Sequence, residues 1–503
     1  MAGDACTPKG SPFIGAARSL ILSRVSHPDS RSARQMAVDA RSHRPIQAPS
    51  PVVEIAERLE RAGYETWCVG GAVRDALLGH QHLDWDLATA ATPEQVRRVF
   101  GGRRTVPVGV QFGTVGVLDP GGTLHEVTTF RRDVRTDGRH AEVEFGASLD
   151  DDLARRDFTI NAIAYHPLRR IVHDPLGGRR DLERRVVRAV GDARARMRED
   201  RLRALRAIRF AGRLGFEIEP ETWTAIVESA PHLGRLSAER VKQELEKTME
   251  QVERPSAAFR RWRESGAFAT LIPALAQVRD ETLSVVDCLA WPAAVETSPA
   301  RLRARRLVRI AALLSETDAR EAAAVLAALR FSKQDATLVS TLVERAAAVR
   351  EPMRDALLRG APDDASVRRW VAGMGRLNVR LVMRLLAAEW AVQREAGHPT
   401  PSARAVHSLH RRLLRSAFRD PVELRDLALD GDDLRRAGIP AGPGLGKILH
   451  ALLARVIEEP SRNEPAWLAA EAKRLAAVGP EAAEGTTTDG GGEVQRGGSR
   501  QGA

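Results

Sequence analysis

A chain of 503 residues is too long for a peptide, a toxin or a single small binding module, and its length predicts several domains. With 77 Lys and Arg against 66 Asp and Glu, the formal charge is +11, which favours contact with polyanions such as nucleic acid. The three cysteines are scattered and no apolar run approaches about 20 residues, so a disulfide framework, a zinc site and a membrane span have no support. We therefore expect a cytoplasmic protein without membrane contact.

The two ends of the chain differ from its middle in composition. Residues 1–50 mix Ser, Pro, Arg and His without a sustained hydrophobic period, which predicts a disordered basic arm. Residues 479–503 are rich in Gly, Thr and Glu and predict a disordered tail. The folded part of the chain is therefore expected between them.

The folded part divides by its hydrophobic pattern. Residues 52–62 have helical spacing, and they are followed by short β-like runs at 66–69, 84–87, 114–118 and 125–130. The Asp-Pro-Gly-Gly step at 119–122 joins the last two runs and predicts a hairpin. From residue 192 to about 478, Ala, Leu and Arg recur at helical spacing. The pattern predicts an α+β fold in which a head of strands and helices precedes an all-α remainder.

A glycine pair lies where the first β-like run meets a helical pattern. Gly70 and Gly71 follow the run at 66–69, and Arg74 lies one turn into the helix. Free backbone N–H groups at such a helix start, together with the Arg74 guanidinium, suit the phosphates of a nucleotide. An ordinary strand-to-helix turn is the alternative interpretation.

Two carboxylates lie two residues apart in the second β-like run. Asp84 and Asp86 are therefore expected on one face of the strand. Such a pair suits two Mg²⁺ ions, one lowering the pKa of an attacking hydroxyl and the other neutralising a leaving pyrophosphate. Glu126, on the neighbouring hairpin strand, is a candidate third carboxylate whose direction depends on the strand register. The alternatives are a solvated strand end for the pair and an edge-strand charge for Glu126.

The segment at 155–162 carries Arg156, Asp157 and Asn161 around a predicted helix start. Arginine suits phosphate oxygens and Asp157 suits a ribose hydroxyl, so these residues are candidates for nucleotide binding. A capped helix with surface arginines is the alternative.

A winding stripe of charge follows in a helical segment, where Asp200, Arg203, Arg206 and Arg209 recur every three residues. A carboxylate beside a guanidinium can imitate a base edge, because Asp200 accepts from the amino group of C or A while Arg203 donates to the adjacent ring nitrogen. Such a pair accepts CTP and ATP and rejects UTP and GTP. Surface ion pairs on an amphipathic helix are the alternative.

Six segments in this order resemble class II tRNA nucleotidyltransferases, the CCA-adding enzymes, and the related bacterial poly(A) polymerases. They are GGAVRDALLG at 70–79, DWDLAT at 84–89, EVTTFRRD at 126–133, RRDFTINA at 155–162, DPLGGRRDL at 174–182 and EDRLRALRAIRF at 199–210. The resemblance implies a catalytic nucleotidyltransferase head at 51–190 with a mixed β-sheet, a helical neck at 191–250 that selects the nucleotide, and a helical body and tail at 251–478 that bind tRNA.

The resemblance also implies a role for each candidate residue. Asp84 and Asp86 hold Mg²⁺, and with Glu126 they form the catalytic set. Gly71, Arg74 and Arg156 contact the triphosphate. The nucleotide-binding residues are those of the glycine turn, the 155–162 segment and the winding stripe, namely Gly70, Gly71, Arg74, Arg156, Asp157, Asn161, Asp200, Arg203, Arg206 and Arg209.

The activity implied is template-independent addition of C, C and A to the 3′ end of tRNA, from CTP and ATP, with release of pyrophosphate by two-metal in-line transfer. The partners are tRNA lacking a complete CCA end and the two nucleotides, with no obligate protein partner. The loop at 131–148 resembles the full-length loop needed for A addition, and 107–115 resembles the nucleotidyltransferase version of that strand. An A-adding or CC-adding specialist and a poly(A) polymerase stay open, as does an inactive RNA-binding protein, against which the intact Asp84 and Asp86 count.

Overall fold

A computed structural model describes residues 46–80, 84–136, 141–289 and 298–478 of the chain, and the side chains of all of these except 133–136 and 141–144. The predicted tail at 479–503 and the first 45 residues of the predicted arm lie outside the described residues. The described chain forms two compact units, of which the first comprises residues up to Arg135 with Ala141–Arg184 and the second begins at Arg185.

The first unit contains a seven-stranded mixed sheet. Its strands, in chain order, are β1 Thr66–Val69, β2 Asp86–Thr89, β3 Thr105–Gly109, β4 Thr114–Leu118, β5 Leu124–Thr129, β8 Ala164–His166 and β9 Ile171–His173. A separate two-stranded sheet is formed by β6 Arg131–Thr136 and β7 Ala141–Phe145. The order across the large sheet is β3-β4-β5-β2-β1-β8-β9, and β2 pairs with β5 in parallel while the other neighbours are antiparallel. The α+β fold class is therefore confirmed.

The described residues of this unit form five α-helices: α1 Ser50–Arg61, α2 Gly71–Leu77, α3 Pro93–Phe100, α4 Leu149–Ala154 and α5 Gly178–Arg184. The head begins earlier than the sequence predicts, because Ile46 is buried and its carbonyl accepts a 2.8 Å hydrogen bond from the hydroxyl of Tyr165. Ile46 thus packs on the head although the sequence pattern assigns it to the arm.

The predicted strands are observed, but the second of them begins two residues later than the sequence predicts. The runs at 66–69 and 114–118 are β1 and β4, and β4 and β5 form the predicted hairpin, with Gly116 opposite Glu126. The run at 84–87 is displaced, because β2 begins at Asp86, whose partner Val69 is the last residue of β1. Asp84 therefore precedes the strand.

In the second unit from Arg185 onward, the residues that the structure describes are helical apart from one short parallel pair, β10 Val186–Val187 with β11 Glu217–Ile218. Its first helices are α6 Ala193–Glu199, α7 Leu202–Leu214, α8 Pro220–Ser229, α9 Ala238–Gln251, α10 Pro255–Glu264, α11 Ala267–Leu271 and α12 Asp280–Cys288. They are followed by α13 Pro299–Leu313, α14 Ala319–Ala328, α15 Lys333–Arg359, α16 Asp364–Met374, α17 Val379–Glu395, α18 Ala403–Arg419, α19 Gly431–Arg436, α20 Pro443–Glu458 and α21 Pro465–Val478.

Local sequence explains where many of these helices start. Ser237, Ser332 and Ser402 each accept a hydrogen bond from a backbone N–H of the first turn, and Pro220 and Pro255 occupy first helical positions, where no N–H is needed. The last helices pack through their own apolar cluster, which includes the fully buried Leu434, Leu452, Val456 and Leu468. Within the described part of the chain, no helix is long and apolar enough to cross a bilayer.

Candidate functional site

The glycine turn between β1 and α2 has a conformation that only glycine adopts readily. Gly70 has φ 81° and ψ −139°, and α2 begins at the next residue. A Cβ atom added to Gly70 would lie 3.1 Å from Nη1 of Arg156 and 3.6 Å from Oδ2 of Asp86. The fold therefore brings together three of the predicted site residues. The Arg156 guanidinium and the Asp86 carboxylate both lie next to the backbone of Gly70.

The two aspartates of the DWD segment differ in exposure. Trp85 is buried between them, whereas Asp84 is exposed and Asp86 is half-buried. The charge of Asp86 reaches the neighbouring strand, since burial first and then Asp86 raise the pKa of the Cys68 thiol. Cys68 is thus held as a neutral thiol in the core, on the strand next to the one that begins at Asp86.

Strand register answers the question of where Glu126 points. Because Leu87 of β2 pairs in parallel with Val127 of β5, Asp86 and Glu126 occupy the same level on adjacent strands and project to the same face. Glu126 is exposed. Among the residues that the structure describes, however, no three His, Cys, Asp or Glu side chains converge tightly enough to hold a metal ion.

This donor set nevertheless suits a magnesium ion. Mg²⁺ is usually bound by one or two carboxylates together with substrate phosphates and water, and it does not need a cage of protein ligands. Asp84 and Asp86 supply hard oxygen donors, and Asp86 lies beside Gly70 together with the Arg156 guanidinium, a group that favours phosphate. The residues present therefore fit a metal that arrives with a nucleotide, and the ligand roles of the two aspartates remain predictions.

Arg74 lies inside the head and ties the glycine turn to the 155–162 segment. Its side chain is buried, with Nε donating to Oδ1 of Asp75 at 2.7 Å and Nη1 donating to Oδ1 of Asn161 at 2.6 Å. Nδ2 of Asn161 in turn donates to Oδ1 of Asp157 at 2.9 Å. This chain of hydrogen bonds brings three predicted nucleotide-binding residues together and fixes their side-chain directions.

Arg156 is positioned by a buried carboxylate at the end of α4. Oδ2 of Asp152 accepts from Nη2 of Arg156 at 3.0 Å, and Oδ1 accepts from Arg155 at 2.7 Å. Burial alone would raise the pKa of Asp152, but the charges of Arg156 and Arg155 outweigh it and hold that pKa below its ordinary value. Nε of Arg156 is buried without a hydrogen-bond partner among the described residues, which leaves a charged donor beside the turn.

In the second unit, the base-reading candidates bond to other residues of the same unit. Asp200 ends α6, and its Oδ2 accepts from Nη2 of Arg240 at 2.7 Å. Arg203 donates from Nη1 to Oε2 of Glu199 at 3.0 Å. Arg240 was not among the predicted site residues.

The end of the winding stripe is packed into the helices. Both Arg206 and Arg209 lie over the ring of Phe210, and Arg209 is buried with its Nε donating to Oε2 of Glu244 at 2.6 Å. Nη1 of Arg209 also donates to Gln251 at 3.1 Å. The Arg209 guanidinium is thus already hydrogen-bonded to other side chains of the protein. A nucleotide contact by Arg206 or Arg209 remains a prediction.

Arg240 and Glu244 are partners of the stripe that the predicted site residues do not include. They lie four residues apart on α9, so one face of this helix holds both Asp200 and Arg209. The spacing of an arginine and a glutamate one turn apart is visible in the sequence, but the charges that they meet belong to α6 and α7 and depend on tertiary packing.

Comparisons with known proteins identify the family of this chain. A family described as Poly A polymerase head domain matches residues 66–188, and one described as the probable RNA and SrmB-binding site of polymerase A matches residues 215–278. The CCA-adding enzyme of Geobacillus kaustophilus is 35% identical over 426 residues, which cover 82% of this chain and 95% of that protein. The CCA-adding enzyme of Lacticaseibacillus paracasei is 34% identical, with 82% and 93% covered.

A solved structure leads to the same family. The crystal structure of the Bacillus stearothermophilus CCA-adding enzyme in complex with CTP matches with a TM-score of 0.65 and 31% identity, covering 85% of this chain and 99% of that one. The resemblance inferred from the six motifs is confirmed, and the shared length includes the helical unit as well as the head. This chain belongs to the family of CCA-adding enzymes, which are tRNA nucleotidyltransferases.

Proposed function

We propose that this chain adds C, C and A in turn to the 3′ end of tRNA, using CTP and ATP and releasing pyrophosphate. The observation that supports the proposal is the meeting of Gly70, Asp86 and Arg156, which combines a bare backbone turn, a carboxylate suited to a metal ion and a cation suited to phosphate. Membership of the CCA-adding family supports the choice of substrates.

Each residue of the head has a distinct task in this reaction. The turn at Gly70 and Gly71 presents backbone to the triphosphate, and Arg156 balances its charge from a position fixed by Asp152. Arg74, which the sequence predicts at the triphosphate, is buried and bonded to Asn161, so we assign it a positioning role instead. Together with Asn161 it holds Asp157 in the direction required to accept from a ribose hydroxyl. Asp84 and Asp86 would hold two Mg²⁺ ions, of which one would lower the pKa of the attacking 3′-hydroxyl and the other would neutralise the departing pyrophosphate.

Base choice belongs to the helical unit. Asp200 accepts from the exocyclic amino group of C or A, and Arg203 donates to the adjacent ring nitrogen. Uracil and guanine have a carbonyl in place of this amino group. A carbonyl oxygen and the Asp200 carboxylate are both acceptors, so they cannot form a hydrogen bond with each other. The cytoplasm, where tRNA and nucleotides occur together, is the proposed compartment.

Substitution of the two aspartates tests the catalytic assignment. Asp84→Ala and Asp86→Ala are each expected to lower the rate of nucleotide incorporation by roughly a thousandfold, since several kcal/mol of charge stabilisation are lost. Affinity for tRNA, measured by filter binding, should change less than about twofold. Asp150→Ala is a matched control, because Asp150 is an exposed head carboxylate bonded to His173. Undiminished turnover in either aspartate variant would remove the metal assignment.

A further inference from the structure

An apolar patch lies on the sheet face that carries the candidate catalytic carboxylates. Val106 is 38% exposed, Val108 44% and Leu124 39%, and these large apolar side chains lie on β3 and β5, the two strands that flank β4. We call these three residues the apolar shelf. None of them is assigned a role by the motifs.

The shelf surrounds a glycine. Val106 pairs with Gly116 across β3 and β4, and a Cβ atom at Gly116 would lie 2.6 Å from Cδ1 of Leu124 and 2.9 Å from Cγ2 of Val108. The absence of a side chain at Gly116 therefore allows Leu124 and Val108 to meet over the backbone and form one continuous surface.

Register places this surface beside the carboxylates. Gly116 is directly opposite Glu126, and Glu126 lies level with Asp86 on the next strand. Adjacent strands are about 4.8 Å apart, so the shelf begins within about two strand spacings of Asp86 on the same face. A nucleotide whose 3′-hydroxyl lies at Asp86 can reach the shelf with its base.

The shelf suits the face of a nucleobase. Every base has an apolar π-face that packs on an apolar protein surface whatever the identity of the base. The carboxylates of Asp86 and Glu126 lie on the same sheet face, where the proposed function places the 3′-hydroxyl of the RNA.

We propose that the apolar shelf receives the base of the RNA's 3′-terminal nucleotide and so positions the attacking hydroxyl. The proposal rests on the proposed function, in which the base of the incoming nucleotide is read by Asp200 and Arg203 and the terminal base of the RNA has no assigned contact. Val106, Val108 and Leu124 are positioning residues, because they act on the reacting oxygen through the base.

The test uses Leu124→Ser and Val108→Ser in the full chain, with Ile171→Ser as the matched control. Ile171 is 46% exposed on β9, which is the opposite edge strand of the same sheet. Single-turnover C addition to saturating tRNA is expected to fall about tenfold in the shelf variants, the effect of losing about 60 Å² of apolar contact. The KM for CTP and the affinity for tRNA should stay within about twofold of the wild type, as should every property of the control.

A binding measurement tests contact with the shelf independently of the reaction rate. A tRNA that ends before the CCA sequence and carries 2-aminopurine as its last base is titrated with each protein. The wild type and Ile171→Ser should change the fluorescence on binding, and Leu124→Ser should reduce that change by at least half. Thermal unfolding within a few degrees of the wild type confirms that the variants fold.

The outcomes are distinguishable. If the wild type incorporates no nucleotide, the proposed function fails, while the fluorescence titration still tests the shelf. If the shelf variants match Ile171→Ser in rate and in fluorescence, the shelf proposal is overturned. It is equally overturned if the wild type dimerises at assay concentration and Leu124→Ser abolishes the dimer, since the shelf would then be an interface between copies.

Discussion

Replacing Gly70 with alanine should damage nucleotide binding more than folding. Gly70 has φ 81° and ψ −139°, a region that costs other residues about 1–3 kcal/mol. The new Cβ atom would also lie 3.1 Å from Nη1 of Arg156, so the guanidinium must move by a few tenths of an ångström. Displacing a charge-balancing group by up to 1 Å costs up to about a hundredfold in rate. We therefore expect kcat/KM for CTP to fall between about tenfold and a hundredfold.

Gly101→Ala provides the matched control for backbone strain. Gly101 has φ 79° at the end of α3 in the same unit, and a Cβ atom there meets nothing within 4 Å. Both variants should lose about 1–3 kcal/mol of stability in denaturant unfolding, whereas only Gly70→Ala should lose activity in steady-state incorporation of CTP. Equal losses of activity in the two variants, or full activity of Gly70→Ala, would refute the argument that the turn positions Arg156.

Three further predictions address other parts of the chain. Arg209→Ala leaves the buried Glu244 carboxylate without its cation and should lower the free energy of unfolding, measured with denaturant, by about 3–5 kcal/mol. Replacing both residues by Met should restore most of that stability. A loss below about 1 kcal/mol would show that the pair is not structural. Asp200→Ala should reduce the discrimination between CTP and UTP, in competition assays, more than it weakens tRNA binding; unchanged discrimination would exclude the base-reading role. Burial lowers the pKa of His166 below its ordinary 6.5, so the unfolded chain binds the proton more readily and stability falls as the pH drops below 6.5. His166→Gln should flatten the decline between pH 7 and 5 by up to about 1.4 kcal/mol per pH unit, and an unchanged slope would contradict the assignment.

Local features of the head could be predicted from the sequence because each depends on neighbouring residues. The hairpin of β4 and β5 follows from the turn residues at 119–122, and the helix start after Gly70 follows from the glycine pair. The start of β2 could not be predicted, since it is set by the pairing of Asp86 with Val69 on another strand. The sequence pattern therefore places Asp84 on β2, whereas in the structure Asp84 precedes that strand.

Partners from distant segments were beyond the reach of pattern reading. The bond between Asp200 and Arg240 joins residues 40 positions apart, and the bond between Arg209 and Glu244 joins residues 35 apart. The sequence shows the charges of the winding stripe, but only the packing of α9 decides which of them are already bonded. The direction of Glu126 likewise required the register of β5 against β2.

Product length on defined tRNA ends tests the central claim most directly. Labelled CTP and ATP, separately and together with Mg²⁺, are supplied with three tRNAs that end before CCA, after the first C, and after the second C. The account predicts three, two and one additions respectively, each stopping at CCA, on a sequencing gel. One A added only to the tRNA ending in CC, two C residues without A, long A ladders, or no product despite tight tRNA binding would each contradict it.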